Sequence, residues 1–258
     1  AIIQNNHLIY TSNKLHLYEL NTQQAKSVTF NYALNPNHDP LAYKEIVVLK
    51  NINQTLLGVD LGTLETQWQY PLKPNQYIAL QPMIVSDNII LLTHTNNHFE
   101  LNAIHTLTGN PTWKFPIGPI NPLKIGHYMD IIFLVYLSPY TYTYHLKAIS
   151  NGFEEIFSIP FPRSKGELID VIFTKKAIAF TFQKDKKSKI TYIDPLTGET
   201  FEPYIEFLSD ISGPFVTPFF LPNKTIIISH DNLKLHIDCF EKPTDPHPKE
   251  TADETPDT

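Results

Sequence analysis

"HTLTGNPTWKF" (residues 105–115) places a Thr-Gly pair four residues ahead of a tryptophan. Its reading decides the fold, because the same spacing returns along the chain. From a first position x, the pattern asks for Thr at x+3, Gly at x+4 and Trp at x+8. His105 as x gives Thr108, Gly109 and Trp113. Asp60 gives Thr63 and Trp68, with Leu64 in the glycine's place. Asp194 gives Thr197 and Gly198, with the aromatic one place early at Phe201. Weaker copies set Glu19 before Thr22 and Ala148 before Gly152, and a last one starts at Asp238. The first positions 19, 60, 105, 148, 194 and 238 are separated by 41 to 46 residues.

The third unit can be read in full. "PMIVSD" is a first strand, "NIILLTH" a second, "HFELNAIHT" a third, "LTGN" a turn and "PTWKFPI" a fourth. Four antiparallel strands in roughly 44 residues match one blade of a β-propeller. The sixth unit shows only three such strands, "PFFLPN", "KTIIISH" and "LKLHIDCF". The expectation is an all-β chain: a β-propeller of about six four-stranded blades over residues 1–240, its last blade incomplete. A Greek-key sandwich is the alternative fold. Residues 241–258, "EKPTDPHPKETADETPDT", read as a disordered acidic, Pro-rich tail. The apolar segments are short, β-branched or aromatic, and 21 prolines are scattered between them, which argues against long helices.

The motif residues have structural work to do. Between third and fourth strands the chain reverses tightly, and Gly109 and Gly198 can take a positive φ there without steric cost. Asp60 and Asp194 are placed to accept from the free N–H groups of the turn, with Thr63, Thr108 and Thr197 bonding its backbone. Trp68 and Trp113, on the outer strand, are expected to pack across a neighbouring blade. A single ligand would not need a tryptophan on each of several blades.

Composition narrows the function classes. The formal net charge is −6 and charged residues make up 18% of the chain, so no basic footprint for nucleic acid is present. The dense basic run "KDKKSK" (184–189) lies between two apolar strands and reads as a solvated hairpin tip. One cysteine, Cys239, within "LKLHIDCF", precludes an internal disulfide and a thiolate metal cluster, and reads as a buried structural thiol. The longest apolar run, "DIIFLVYL" (130–137), is strand-sized and far short of a membrane span. His94 and His98 in "HTNNH" straddle a hairpin, and His94 matches His230 of the sixth unit; both read as polar hairpin residues, not metal ligands. The chain opens at Ala1 without a signal pattern, as a mature exported protein or a trimmed chain would.

The segments "GVDLGTLETQW", "AIHTLTGNPTW" and "YIDPLTGETF" resemble the repeat of the PQQ-type β-propellers, roughly Ala-x-Asp-x-x-Thr-Gly-x-x-x-Trp. That superfamily holds quinoprotein alcohol dehydrogenases and also non-catalytic propellers of the BamB type. The dehydrogenases imply eight blades, a vicinal disulfide, a calcium site and an Asp base. With one cysteine and length for about six blades, the chain departs from that set, so no catalytic, metal or cofactor-binding residue is carried over. The resemblance implies a non-catalytic interaction scaffold, extracytoplasmic or periplasmic in a bacterium, binding protein partners through its faces or an exposed edge of the last blade. A small-ligand or carbohydrate-binding propeller is the alternative. One surface stands out for a partner: Tyr140, Tyr142 and Tyr144 in "LSPYTYTYH" alternate as if on one side of a strand.

Overall fold

A computed structural model describes residues 1–35, 39–96, 98–151, 154–174, 177–185, 187–201, 215–220, 224–230 and 235–241, with backbone alone at 187–188 and from 201 on. Gly152 and residues 242–258 lie outside this set, as do the side chains of Phe201, His230, Asp238 and Cys239. The described chain forms antiparallel sheets, and its one helical turn is a 3-10 segment at Arg163–Lys165. Blade one holds β1 (Ile2–Gln4), β2 (His7–Thr11), β3 (Leu15–Glu19) and β4 (Gln24–Val28). Blade two holds β5 (Leu41–Tyr43), β6 (Ile46–Lys50), β7 (Leu56–Asp60) and β8 (Thr66–Tyr70). In blade three a short extra strand, β9 (Tyr77–Ile78), pairs with β11 and precedes β10 (Met83–Val85), β11 (Asn88–Thr95), β12 (His98–His105) and β13 (Pro111–Gly118). Blade four holds β14 (Asn121–Tyr128), β15 (Ile131–Leu137), β16 (Tyr144–Ser150) and β17 (Glu155–Phe161).

These four blades form one compact unit, Ala1–Pro162; a second runs from Arg163 to Thr258. The second unit contains β18 (Glu167–Phe173), β19 (Ile178–Lys184), β20 (Lys187–Ile193) and β21 (Thr200–Phe201) in one sheet. Its other sheet has three strands among the described residues, β22 (Phe215–Phe220), β23 (Lys224–His230) and β24 (Leu235–Glu241). The blade sheets pair their strands in chain order, which is the meander that the sequence predicts, and within "KDKKSK" Lys184 pairs with Lys187 across the β19–β20 hairpin.

In the first unit the core lies between blades. Ile9, Leu17, Val47 and Val59 bring blades one and two together. Val48, Leu56, Ile89 and Ile104 join two and three, and Ile90, Leu101, Ile132 and Ile149 join three and four. A middle strand is therefore covered on both faces. That is why Ile46–Lys50 is buried throughout and why the second and third strands read as continuous apolar runs without alternation.

The register corrects two repeat positions. In four blades the N–H just past the third strand donates to the carbonyl just before the second: Leu20 to Asn6, Leu61 to Glu45, Thr106 to Asp87 and Asn151 to Asp130. Blade four thus starts its turn at Ser150 instead of Ala148. Its turn is one residue shorter, closed by Ser150 N–H to Glu154 at 2.9 Å, which displaces the letters that the spacing relies on. In the sixth blade Lys224, which opens the second strand, pairs with Glu241, so the equivalent position is Glu241 and not Asp238.

Candidate functional site

The two ends of the blades in the first unit have different chemistry. At one end lie the first-to-second and third-to-fourth strand turns, where the repeat motif sits. At the other lie the second-to-third hairpins.

The motif turns share one geometry. The x+4 N–H returns to the carbonyl of x in Gln23 to Glu19, Leu64 to Asp60, Gly109 to His105 and Gly198 to Asp194, at 2.8–2.9 Å. Asp60 Oδ1 accepts from the Gly62 N–H at 2.9 Å, the Thr63 N–H at 2.8 Å and the Thr63 hydroxyl at 3.1 Å. Asp194 Oδ1 accepts from the N–H groups of Leu196 and Thr197 at 2.7 and 2.9 Å. The Thr63 N–H is the leading reason that the Asp60 carboxyl lies below its usual range, since donors favour the ionised form. Thr63, Thr108 and Thr197 each accept at Oγ1 from the N–H two residues on, at 3.2–3.4 Å.

Each tryptophan crosses to the next blade. Trp68 Nε1 donates to the Thr106 carbonyl at 3.0 Å, and Trp113 Nε1 to Asn151 Oδ1 at 3.3 Å. Both acceptors belong to the residue after position x of the following blade. The indole of Trp68 lies over Gly58, its cross-strand partner, and against Gly109. A Cβ on Gly58 would sit 2.0 Å from Trp68 Cε2, and one on Gly109 would sit 2.7 Å from Cδ2. Gly109 is therefore required twice, by its φ of 71° and by the ring against it. Leu64 takes the same left-handed place at φ 62°. In blade one Lys26 occupies the position that Trp68 holds in blade two, so no indole comes from that side and Leu64 packs into the core between blades one and two. In blade four the matching position is Phe157, opposite Ala148 as Trp113 is opposite Ala103. The shortened turn hides Phe157 from the spacing rule.

The first-to-second turns are also linked. Asn5 Nδ2 donates to Glu45 Oε1 at 3.0 Å, the Tyr43 hydroxyl and Lys44 engage Asp87, and the Ser86 hydroxyl donates to Asp130. The Tyr43 hydroxyl is the leading cause holding the Asp87 carboxyl below its usual range, with Lys44 and His105 adding to it.

At the hairpin end, "SPYTYT" (138–143) forms a turn that the repeat search did not find, because it joins second and third strands. Its hydrogen bonds copy those of "DPLTGE" (194–199). Tyr142 N–H returns to Ser138 O at 3.0 Å and Ser138 N–H reaches Thr143 O at 2.9 Å. Ser138 Oγ accepts from the N–H groups of Tyr140 and Thr141 at 3.4 and 3.3 Å. Tyr140 and Tyr142 therefore lie in a turn and not on one side of a strand as their alternation predicts; only Tyr144 opens a strand, β16. Tyr140 is 77% exposed and Tyr142 56% exposed, while Tyr144 is half-buried. Tyr142 holds φ 54° where the matching turns in blades three and five have glycine.

A histidine–aromatic pair stands one step inside the hairpin in three blades: Tyr10 on His16 at 4.5 Å, His94 on Phe99 at 4.3 Å and Tyr136 on His145 at 5.1 Å. His16 Nε2 meets Ser12 Oγ at 3.0 Å, and His145 Nε2 meets Thr143 Oγ1 at 2.8 Å. Tyr77 of β9 stands edge-on to His94 at 4.7 Å. His94 and His98 flank the β11–β12 hairpin, and His94 is occupied by these rings. These pairs leave no signal in a linear period, since each is defined by cross-strand register.

No protein-family model matches the chain, and no curated protein matches it significantly. Among solved structures, BamB from Moraxella catarrhalis is similar at 14% identity and a TM-score of 0.54, over 92% of this chain and 72% of that one. A europium-containing methanol dehydrogenase is similar at 10% identity and TM-score 0.56, over 93% and 66% of the two chains. The computationally designed Ika8 protein is similar at 13% identity and TM-score 0.60, over 93% and 69%. At these identities the likeness shows the fold alone, a β-propeller.

Proposed function

We propose that this chain is a non-catalytic protein-interaction scaffold, working in an extracytoplasmic assembly of a bacterial envelope. The observation that carries the reading is the pair Tyr140 and Tyr142, exposed on a turn closed by its own hydrogen bonds. The Asp, Thr and Trp residues of the repeat are engaged in closing turns and joining blades, which leaves them little part in chemistry on a substrate. Exposed tyrosines on a rigid hairpin supply large contact area at low entropic cost, as interface anchors do. The likeness to BamB supports a scaffold on this fold, although the fold also serves an enzyme. The reading is tested by affinity capture from the native source, reconstitution of the captured pair from purified components, and a dye-linked dehydrogenase assay with calcium and quinone. A reconstituted complex without turnover supports it; quinone-dependent turnover overturns it.

A further inference from the structure

Within the first unit, charge is divided between the two blade ends. The turn end carries Glu19, Glu45, Asp60, Glu65, Asp87 and Asp130, with Lys44 as the cation in those turns. In the four second-to-third hairpins, the charged residue among those described is Lys14 and no carboxylate is present; the strand connections at the same end add Lys73 and Asp39, the latter paired with the Ala1 amino group. From Ile131 to Tyr144 the chain has no charged residue at all. Large apolar side chains are exposed at both ends, Leu20, Leu107 and Met129 in the turns, but the exposed tyrosines lie at the hairpin end: Tyr10 at 41%, Tyr77 at 46%, and Tyr140 and Tyr142 as above, with Ile52 at the same end.

We infer that the hairpin end of blades one to four is a single docking face for a protein partner with an uncharged, apolar surface. The inference rests on the scaffold reading and names its surface. Tyrosine enrichment with depletion of charge is the compositional mark of an interface core, and here both fall at one end of the blades. Tyr142 holds the left-handed conformation in its turn, as Gln23 and Leu64 do in the equivalent turns of blades one and two. His16 stacks on Tyr10 and His94 meets Tyr77 edge-on, so these rings are preorganised as well. A carboxylate-poor face attracts its partner by area and shape, so binding should respond weakly to salt.

The test places the photo-crosslinker benzoylphenylalanine at residue 140 or, at the turn end, at residue 129, in cells carrying the full chain. A protein crosslinked from 140 is purified and titrated against the parent chain and the Tyr140→Ser, Tyr142→Gly double variant. The expected result is a hetero-adduct at 140 and a Kd raised about tenfold or more in the double variant. The Kd of the parent should change by less than about threefold between 0.05 and 0.5 M NaCl. Tyr142→Gly suits the positive φ, so unchanged thermal melting separates lost contact from lost fold. An adduct at 129 without one at 140 overturns this face and leaves the scaffold reading standing. No adduct at either residue overturns both. An adduct with a second copy, a Kd unmoved by the double variant, a steep salt dependence, or a glycan-array signal lost in the double variant overturns the inference.

Discussion

The two ends of each blade answer different demands. At the turn end polar side chains close turns and join blades: Asp60 caps its own turn, Asp87 takes Tyr43 and Lys44 from the blade before, and Trp68 and Trp113 reach the blade after. At the hairpin end the same turn geometry is used in "SPYTYT", yet Tyr140, Thr141 and Tyr142 are exposed. Identical backbone chemistry therefore supports cohesion at one end and display at the other. The difference is one of exposure: an indole covers Gly109, whereas Tyr142 is 56% exposed.

That contrast can be broken most forcefully at the tryptophans. Trp113→Ala removes an indole that is 8% exposed and orphans Asn151 Oδ1, so chemical denaturation should report a loss of about 3–5 kcal/mol. Gly109→Ala combines a left-handed alanine, about 1–2 kcal/mol, with the close approach to Trp68, and should lower stability by roughly 2 kcal/mol or more. Asp194→Ala takes away the acceptor for two N–H groups and should cost about 1 kcal/mol, read as a small fall in Tm.

At the hairpin end the effects shrink. Burial, followed by the charge of Lys147, holds the His145 imidazole below its ordinary pKa. The fold thus prefers the neutral ring while the unfolded chain protonates it. Its contribution is complete above about pH 6.5 and is lost as pH falls below that. Melting curves at pH 7.5 and 5.5 should show a larger drop for the parent than for His145→Asn. The smallest change is expected for Tyr142→Gly, which relieves the positive φ and should leave Tm unchanged or slightly raised. A large loss there would mean that the hairpin end is a packing element after all, and the contrast would fail.

How much of this was legible depends on whether a feature is written in consecutive letters. A turn closed by Asp, Thr and Gly is local, so its period surfaces in the sequence and with it the blade count and the all-β class. Where the turn loses one residue, in blade four, the letters slip and Phe157 drops out of the pattern although its place opposite Ala148 is intact. The alternation Tyr140, Tyr142, Tyr144 looks like a strand because alternation carries no information about where a hairpin bends; Pro139 and the Ser138 side chain decide that.

The sequence by itself determined the repeat, the strand-rich class and the residues that close each turn, because those depend on backbone conformations within a few residues. The tertiary structure decided that Gly109 serves the indole of the preceding blade, that Leu64 can replace glycine where no indole arrives, and that the exposed tyrosines of the first unit lie at the hairpin end while the carboxylates that cap and link turns lie at the other. Those relations join residues some forty positions apart, and only the stacking of one blade on the next brings them into contact.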